Sequence, residues 1–333
     1  MKKESINATM ELIAIPDDGN KPVLRLIAGA QKIIKVKQFK LTDPGMIKAL
    51  IEAKGRGVEV RAMLNPKADF GGRFNDATFA QFKEAGIDVR WTSSLFAVSH
   101  EKSMIADEAK ALVASFNLCG VSLGATRDYG VITIDAAQVA EISACFDADW
   151  EGVAFHPKPD IDLVWSPDNS RHLMAKFIDA AQTSLDIQNP KWIDAVILDR
   201  VLAAQSRGVH VRILCGGKHG IHYYHLQDCF SSWRILHRHG IKVRRQKYIT
   251  LHAKLMIADG KTALVGSCNV DRSAFDLRRE LGIIVKDKTI VHRLVELYQR
   301  DWSLSETYLA PDPLISQEHD VGELPHDPDF GHE

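Results

Sequence analysis

The stretch LHAKLMIADGKTALVGSCN, residues 251–269, decides how this chain is read. Apolar residues alternate at Leu251, Ala253, Leu255 and Ile257, Asp259-Gly260 is hairpin-turn chemistry, and TALVG at 262–266 is the returning strand. The second face of the first strand carries His252 and Lys254, which a period of two puts on one side. The return then predicts Ser267 and Asn269 beside them. An imidazole, a fixed cation and two hydrogen-bonding side chains aimed at one spot make half of a site.

The other half lies in the same chain. HEKSMIAD at 100–107 repeats HAKLMIAD at 252–259, and ASFN at 114–117 repeats GSCN at 266–269. RGVEVRAML (56–64) matches RGVHVRILC (207–215), and AGIDVR (85–90) matches HGIKVR (239–244). TRDYGVIT (126–133) matches RRELGIIV (278–285), and Asp149-Trp150 matches Asp301-Trp302. Offsets held at 151–154 residues mark an internal duplication.

In each copy an amphipathic helix ending in Gly leads into a β-branched strand. A second helix, a short strand, the hairpin and a closing helix follow. This alternation predicts an α/β fold of two tandem, similar α/β/α sandwich halves. Their sheets should be mixed but mostly parallel, with the active site at the interface. The expected divisions are an N-terminal half over 1–155, a linker over 156–170 (HPKPDIDLVWSPDNS), a C-terminal half over 171–305, and a poorly ordered acidic tail over 306–333.

Composition narrows the function classes. The 333 residues carry 42 Lys and Arg against 43 Asp and Glu, so the chain is not a general electrostatic sponge for nucleic acid. No apolar run reaches bilayer length, and MKKESINATMELIAIPDD does not read as a signal peptide. Cys119, Cys145, Cys215, Cys229 and Cys268 lack paired spacing, which points to reduced thiols in a cytoplasmic protein.

Both copies share His-x-Lys, four residues, Asp, six residues, then a small residue, Ser, any residue and Asn. An acid follows eleven residues after the Asn. The first set is His100, Lys102, Asp107, Ala114, Ser115, Asn117 and Asp128. The second is His252, Lys254, Asp259, Gly266, Ser267, Asn269 and Glu280. Two lysines and two amides suit a phosphodiester, neutralising its non-bridging oxygens without a metal or other cofactor. One imidazole can attack phosphorus while the other protonates the leaving alkoxide and later activates water or an alcohol. Asp128 and Glu280 are candidates to orient the rings. Asp107 and Asp259 read as turn residues. Ser115 and Ser267 either support the substrate or serve packing.

The doubled motif resembles the signature of the phospholipase D superfamily, which includes phospholipases D, cardiolipin and phosphatidylserine synthases, and related nucleases. The resemblance spans roughly residues 20–305, and GSCNVDRSAFDLRRELGI (266–283) is similar to the synthase branch. It implies that His100 is the nucleophile and His252 the general acid and base. Lys102, Lys254, Asn117 and Asn269 would bind phosphate with Ser115 and Ser267 in support, and Asp107 and Asp259 would be structural. Ala114 departs from the usual Gly. Asp128 opposite Glu280 implies unequal hydrogen bonding at the two histidines.

Three further segments carry expectations. GGKHGIHYYHLQD (216–228) reads as a Gly-hinged loop over the pocket, with His219 and Tyr223 at the substrate, and not as a metal site. KVRRQK (242–247) is a basic track or a solvated strand face, and the lysines of KIIKVKQFK (32–40) line a pocket or decorate an edge. The expected partner is a phospholipid met by peripheral contact at a membrane surface. The alternatives are a nucleic-acid phosphodiester or a silent binding scaffold. Since one chain carries both half-sites, a monomer suffices.

Overall fold

The computed structural model describes residues 9–67, 71–216, 223–312 and 314, and in it the duplicated sequence is a duplicated fold. The first half runs β1 (Met10–Ile15), α1 (Lys21–Gly29), β2 (Ile33–Gln38), α2 (Pro44–Gly55), β3 (Glu59–Leu64), α3 (Asp76–Glu84), β4 (Asp88–Trp91), β5 (Val98–Ser99), β6 (Lys102–Ala106), β7 (Lys110–Ala114), α4 (Gly120–Gly124), β8 (Thr126–Thr133) and α5 (Ala136–Glu151). The second repeats it: β9 (Leu163–Ser166), α6 (Ser170–Ala180), β10 (Ser184–Gln188), α7 (Ala195–Ser206), β11 (His210–Cys215), α8 (Tyr223–Arg238), β12 (Lys242–Arg245), β13 (Thr250–Leu251), β14 (Lys254–Ala258), β15 (Thr262–Gly266), α9 (Arg272–Asp276), β16 (Arg278–Val285) and α10 (Lys288–Leu304). One strand, β17 (Glu306–Thr307), follows.

Local chemistry explains the boundaries. The closing helices α5 and α10 start at Asp135 and Asp287, whose carboxylates each accept two backbone N–H bonds of the first turn. Gly57 and Gly208, one turn-residue past α2 and α7, both sit at φ +91°, a conformation that disfavours any side chain. At the hairpin tips Asp107 and Glu108, and Asp259 and Gly260, take positive φ. The Asp carboxylates fold back onto the start of the neighbouring strand. Asp107 accepts N–H bonds from Gln31, Lys32 and Ile33 at 2.7–3.0 Å, and Asp259 accepts them from Gln182, Thr183 and Ser184. Burial acts to raise the Asp259 carboxyl, but these donors outweigh it and hold the group at about 2.

The sheets run β1-β8-β7-β6-β2-β3-β4 and β17-β12-β11-β10-β14-β15-β16. They are mixed, yet the expectation of a mostly parallel arrangement needs correction. Within each half only β2-β3-β4 and β10-β11-β12 are parallel. Those strands are joined by crossover helices. The hairpins β6-β7 and β14-β15 pair antiparallel because a tight turn reverses the chain, and their neighbours β2, β8, β10 and β16 and the first strands β1 and β9 also join antiparallel.

Alternation along the strands gathers most of the buried apolar residues into three large cores. One packs α1, α2 and α3 on the first sheet, and another packs α6, α7 and α8 on the second. The third joins the halves: Val113, Tyr129 and Val131 meet Leu255, Val265 and Leu281, closed by α5 and α10. At about 1.5–3 kcal/mol per buried large apolar side chain, this shared core ties the halves into one unit.

Two expected boundaries move. The 156–170 linker contains β9, which pairs with β16 and buries Trp165 completely, so it opens the second half. The tail does not begin at 306. Residues Glu306–Thr307 add to β12, and the buried Tyr308 ring meets Trp233 edge-on at 5.3 Å. In the basic segment 242–247, Arg245 and Lys247 pair with Glu306 at 2.7 and 3.6 Å. Residues 313 and 315–333 lie outside the described residues.

Candidate active site

The strands that lead into the motifs are exchanged between the halves. β5 of the first half runs parallel to β16, and β13 of the second runs parallel to β8. The chain then crosses to its own sheet, and the histidines sit at that crossing. His100 and Glu101 both donate their backbone N–H to the Arg279 carbonyl at 2.9 Å. His252 and Ala253 donate theirs to the Arg127 carbonyl at 3.2 and 2.8 Å. This corrects the simple hairpin reading: the strand begins at Lys102 or Lys254, and each His precedes it, held by the opposite half.

The carboxylate partners are crossed in the same way. His100 Nδ1 lies 2.9–3.0 Å from both oxygens of Glu280, and His252 Nδ1 lies 2.8 and 3.1 Å from those of Asp128. A carboxylate only accepts, so each ring carries its proton on Nδ1 and leaves Nε2 as the reactive nitrogen. Lys254 Nζ is 2.9 Å from His252 Nε2. An ammonium only donates, which places a neutral imidazole there. Lys102 instead donates to the His100 carbonyl at 2.9 Å and lies 5.0 Å from the Phe39 ring centroid. That ring also meets His100 edge-on at 5.0 Å. All four motif side chains are buried.

The two acids differ in their surroundings. Burial pushes the Glu280 carboxyl up, but His100, Lys102 and Arg278 outweigh it and hold it below the usual range. Asp128 accepts hydroxyl bonds from Ser115, at 2.6 Å, and from Thr126. Ser115 Oγ also receives the Tyr129 N–H at 2.9 Å, and Ser267 Oγ receives that of Leu281 at 3.1 Å. Both fully buried serines therefore brace the acid-bearing strands, as the packing alternative expects. Asn117 and Asn269 are buried after β7 and β15. The Asn269 amide has no hydrogen-bond partner among the described residues. Leaving such a group buried costs about 1–3 kcal/mol, a cost that phosphate oxygens would remove.

The Ala114 departure has a local explanation. Ala114 faces Gly130 across the ladder, while Gly266 faces Gly282 where the strands come closer. A Cβ on Gly266 would stand 2.5 Å from Gly282 Cα and 2.6 Å from the Leu281 carbonyl. Gly266→Ala is expected to lose about 1–3 kcal/mol in chemical denaturation through backbone overpacking. Ala114→Gly should cost less. Equal losses would contradict this account.

The sequence reading missed the clamp behind the site. Strand alternation sends Asp128 and Glu280 to the histidines and the preceding arginines to the opposite face. Arg127 forks onto Asp301 at 2.7 and 3.0 Å and reaches the Ile15 carbonyl and Asp17. Arg279 forks onto Asp149 at 3.1 Å through two nitrogens and reaches the Ser166 carbonyl and Asp168. Each arginine thus joins its own half to the closing helix of the other. The sequence signals for it are the repeated Asp149 and Asp301 and the matching pair IPDD (15–18) and SPDN (166–169).

Other expectations resolve as follows. Residues 217–222, with His219, lie outside the described residues, and Tyr223 opens helix α8, so 223–228 is helix and not loop. Lys35 and Lys37 do not decorate an edge, because β2 is a central strand and both are buried in ion pairs. Glu101, Cys145 and Asp149 converge within 4.8 Å, as metal ligands could. The Lys37 ammonium stands among them, 2.9, 3.8 and 2.7 Å away respectively, and takes the cation's place. A surface groove of about 570 Å³ beside β1 and α1 contains no motif residue. None of the five cysteines forms a disulfide, and all are buried. Among the described residues no helix is long and apolar enough to cross a membrane.

The family model described as "Cardiolipin synthase, PLD-like domain" matches residues 23–150 and 174–302, one match per half. The major cardiolipin synthase ClsA of Bacillus subtilis is 26% identical over 303 residues, covering 78% of this chain and 61% of that protein. Cardiolipin synthase 1 of Staphylococcus aureus is 25% identical over 336 residues, covering 87% of this chain and 67% of its own length. The chain therefore spans about three fifths to two thirds of these relatives. Among solved structures, phosphatidylserine synthase of Haemophilus influenzae shares the fold with a TM-score of 0.71 at 14% identity, covering 91% of this chain and 88% of that one. Polyphosphate kinase of Porphyromonas gingivalis gives 0.71 at 16% identity, covering 90% and 48%.

Proposed function

Because the chain belongs to the cardiolipin synthase, PLD-like domain family, we propose that it is a phosphatidyltransferase acting on phospholipids through a covalent phosphohistidine. The observation that carries this reading is the crossed pairing, in which each half supplies the acid that orients the other half's histidine.

His100 Nε2 attacks the phosphorus of a phosphodiester, and the bond to the leaving alcohol breaks. His252, neutral in the Lys254 contact, takes up a proton on Nε2 from solvent, and the leaving oxygen receives that proton from the imidazolium, which Asp128 stabilises. His252 is then neutral, with its Nε2 lone pair available as drawn by the Lys254 contact. It removes the proton of an acceptor hydroxyl, which attacks the phosphohistidine and releases His100. Lys102, Lys254, Asn117 and Asn269 hold the non-bridging oxygens, whose charge grows in each transition state. No step requires a metal. Both half-sites come from one chain, so a monomer is sufficient, and the lipid is reached by peripheral contact with a bilayer.

The test offers purified protein phosphatidylglycerol vesicles and, separately, single- and double-stranded DNA, with chelator present throughout. The expected products are a diphosphatidyl lipid and free glycerol. Cleavage of DNA without lipid turnover would replace this reading with the nuclease one. Loss of activity on chelation would contradict the metal-free route.

A further inference from the structure

Besides the differences at the lysines and acids, the two half-sites differ beneath the histidines. In the second half Asp301 takes the Arg127 fork and one further bond, from Gln188 Nε2 at 2.9 Å, and the residue between His252 and Lys254 is Ala253. In the first half Asp149 takes the Arg279 fork and the Lys37 ammonium at 2.7 Å. Lys37 reaches on to Glu101 at 2.9 Å, and Glu101 is the residue between His100 and Lys102. The other Glu101 oxygen accepts from Ser103 at 2.6 Å. Lys37 and Gln188 are true counterparts, since their cross-strand neighbours Ser103 and Leu255 occupy the same place in the repeat.

Lys37 and Glu101 are each only 1% exposed. Buried charges that would be costly alone are stable here because each has an opposite charge at hydrogen-bond distance, so the chain Arg279–Asp149–Lys37–Glu101 holds as a unit. It anchors the residue beside His100 to helix α5. Beside His252 the corresponding residue is the neutral Ala253, so no such ion pair ties that position to α10.

We propose that the Lys37–Glu101 ion pair is a positioning device acting on His100 alone, and that it helps fit the two histidines for unequal work. The proposal rests on the two-histidine transferase reading, in which attack at phosphorus is the step that needs the more rigid nitrogen. The fixed ring does the attacking. His252, held at Asp128 and Lys254 with no ion pair beside it, follows the proton between leaving and entering oxygens.

The protein supplies its own test, because Lys37→Gln with Glu101→Ala writes the second half's residues into the first. Rapid-quench measurement with labelled phosphatidylglycerol should show phosphoenzyme formation slowed by about tenfold or more, the cost of a small misplacement of a reacting atom. Breakdown by the acceptor should stay within about twofold. In proton NMR the downfield N–H resonance of the His100–Glu280 pair should shift while that of His252–Asp128 stays. Glu101→Gln keeps an acceptor for Lys37 and Ser103, so it should recover most of the formation rate. It also serves if the double variant does not fold, by showing a smaller slowing confined to the same step. Lys35→Gln removes a comparable link, to Asp147 and Ser143 on α5, and should leave both steps and both resonances unmoved. Equal slowing of both steps, an unmoved His100 resonance, or the same effect from Lys35→Gln would overturn the proposal. If the wild type turns over no lipid, the transferase reading falls, and the resonances still decide whether the pair positions His100.

Discussion

His100→Ala and His252→Ala are each expected to remove nearly all transfer. General acid–base catalysis alone contributes roughly 10²–10⁴-fold. His100→Ala also removes the nucleophile, so the covalent route closes altogether. His252→Ala leaves an intact nucleophile but no group to protonate the leaving oxygen or deprotonate the acceptor. Trapping should therefore separate them: neither accumulates phosphoenzyme from an alkoxide-leaving lipid, but only His252→Ala should do so from a substrate whose leaving group needs no proton. Steady-state rates with phosphatidylglycerol provide the first measurement. Retention of more than about a tenth of wild-type activity by either variant would sink the two-histidine assignment, given the size of acid–base contributions. Both side chains are almost fully enclosed, so circular dichroism must accompany the rates.

The second large effect is on stability. Arg127→Met is expected to cost about 3–5 kcal/mol, because it strips the guanidinium from a buried carboxylate. Asp301 would keep only the neutral Gln188 amide. Arg279→Met should cost less, since Asp149 still has Lys37 at 2.7 Å. Chemical denaturation of the two variants reads the difference. An Arg279→Met loss equal to or larger than that of Arg127→Met would show that the lysine does not compensate. The asymmetry of the clamp would then have no energetic meaning. Because each arginine's carbonyl also holds the opposite histidine loop, both variants should lose activity before they unfold.

Much of this was legible from residue order. The repeat offsets gave two similar halves, and every element from the opening strand to the closing helix has its counterpart. Turn chemistry at Asp107 and Asp259 was readable because it is local: a short acidic side chain at a positive-φ position bonds backbone donors nearby. The acids Asp128 and Glu280 were legible as candidates through matched spacing. Ser115 was not legible as their brace, because a small buried hydroxyl has no pattern that distinguishes a ligand contact from a strut. Lys37 was equally opaque. A strand lysine reads as a solvated edge until the sheet order shows β2 in the middle with α5 above it.

What the sequence by itself determined is the set of groups: two imidazoles, two lysines, two amides and two acids, and their division into matching copies. What only the tertiary structure decided is who faces whom. His100 reaches Glu280 across 180 residues, and His252 reaches Asp128 across 124. The exchange depends on β5 and β13, strands of two residues each, too short to show a period. Their partners are chosen by which sheet edge the packed shared core brings alongside, and that is a property of the whole chain.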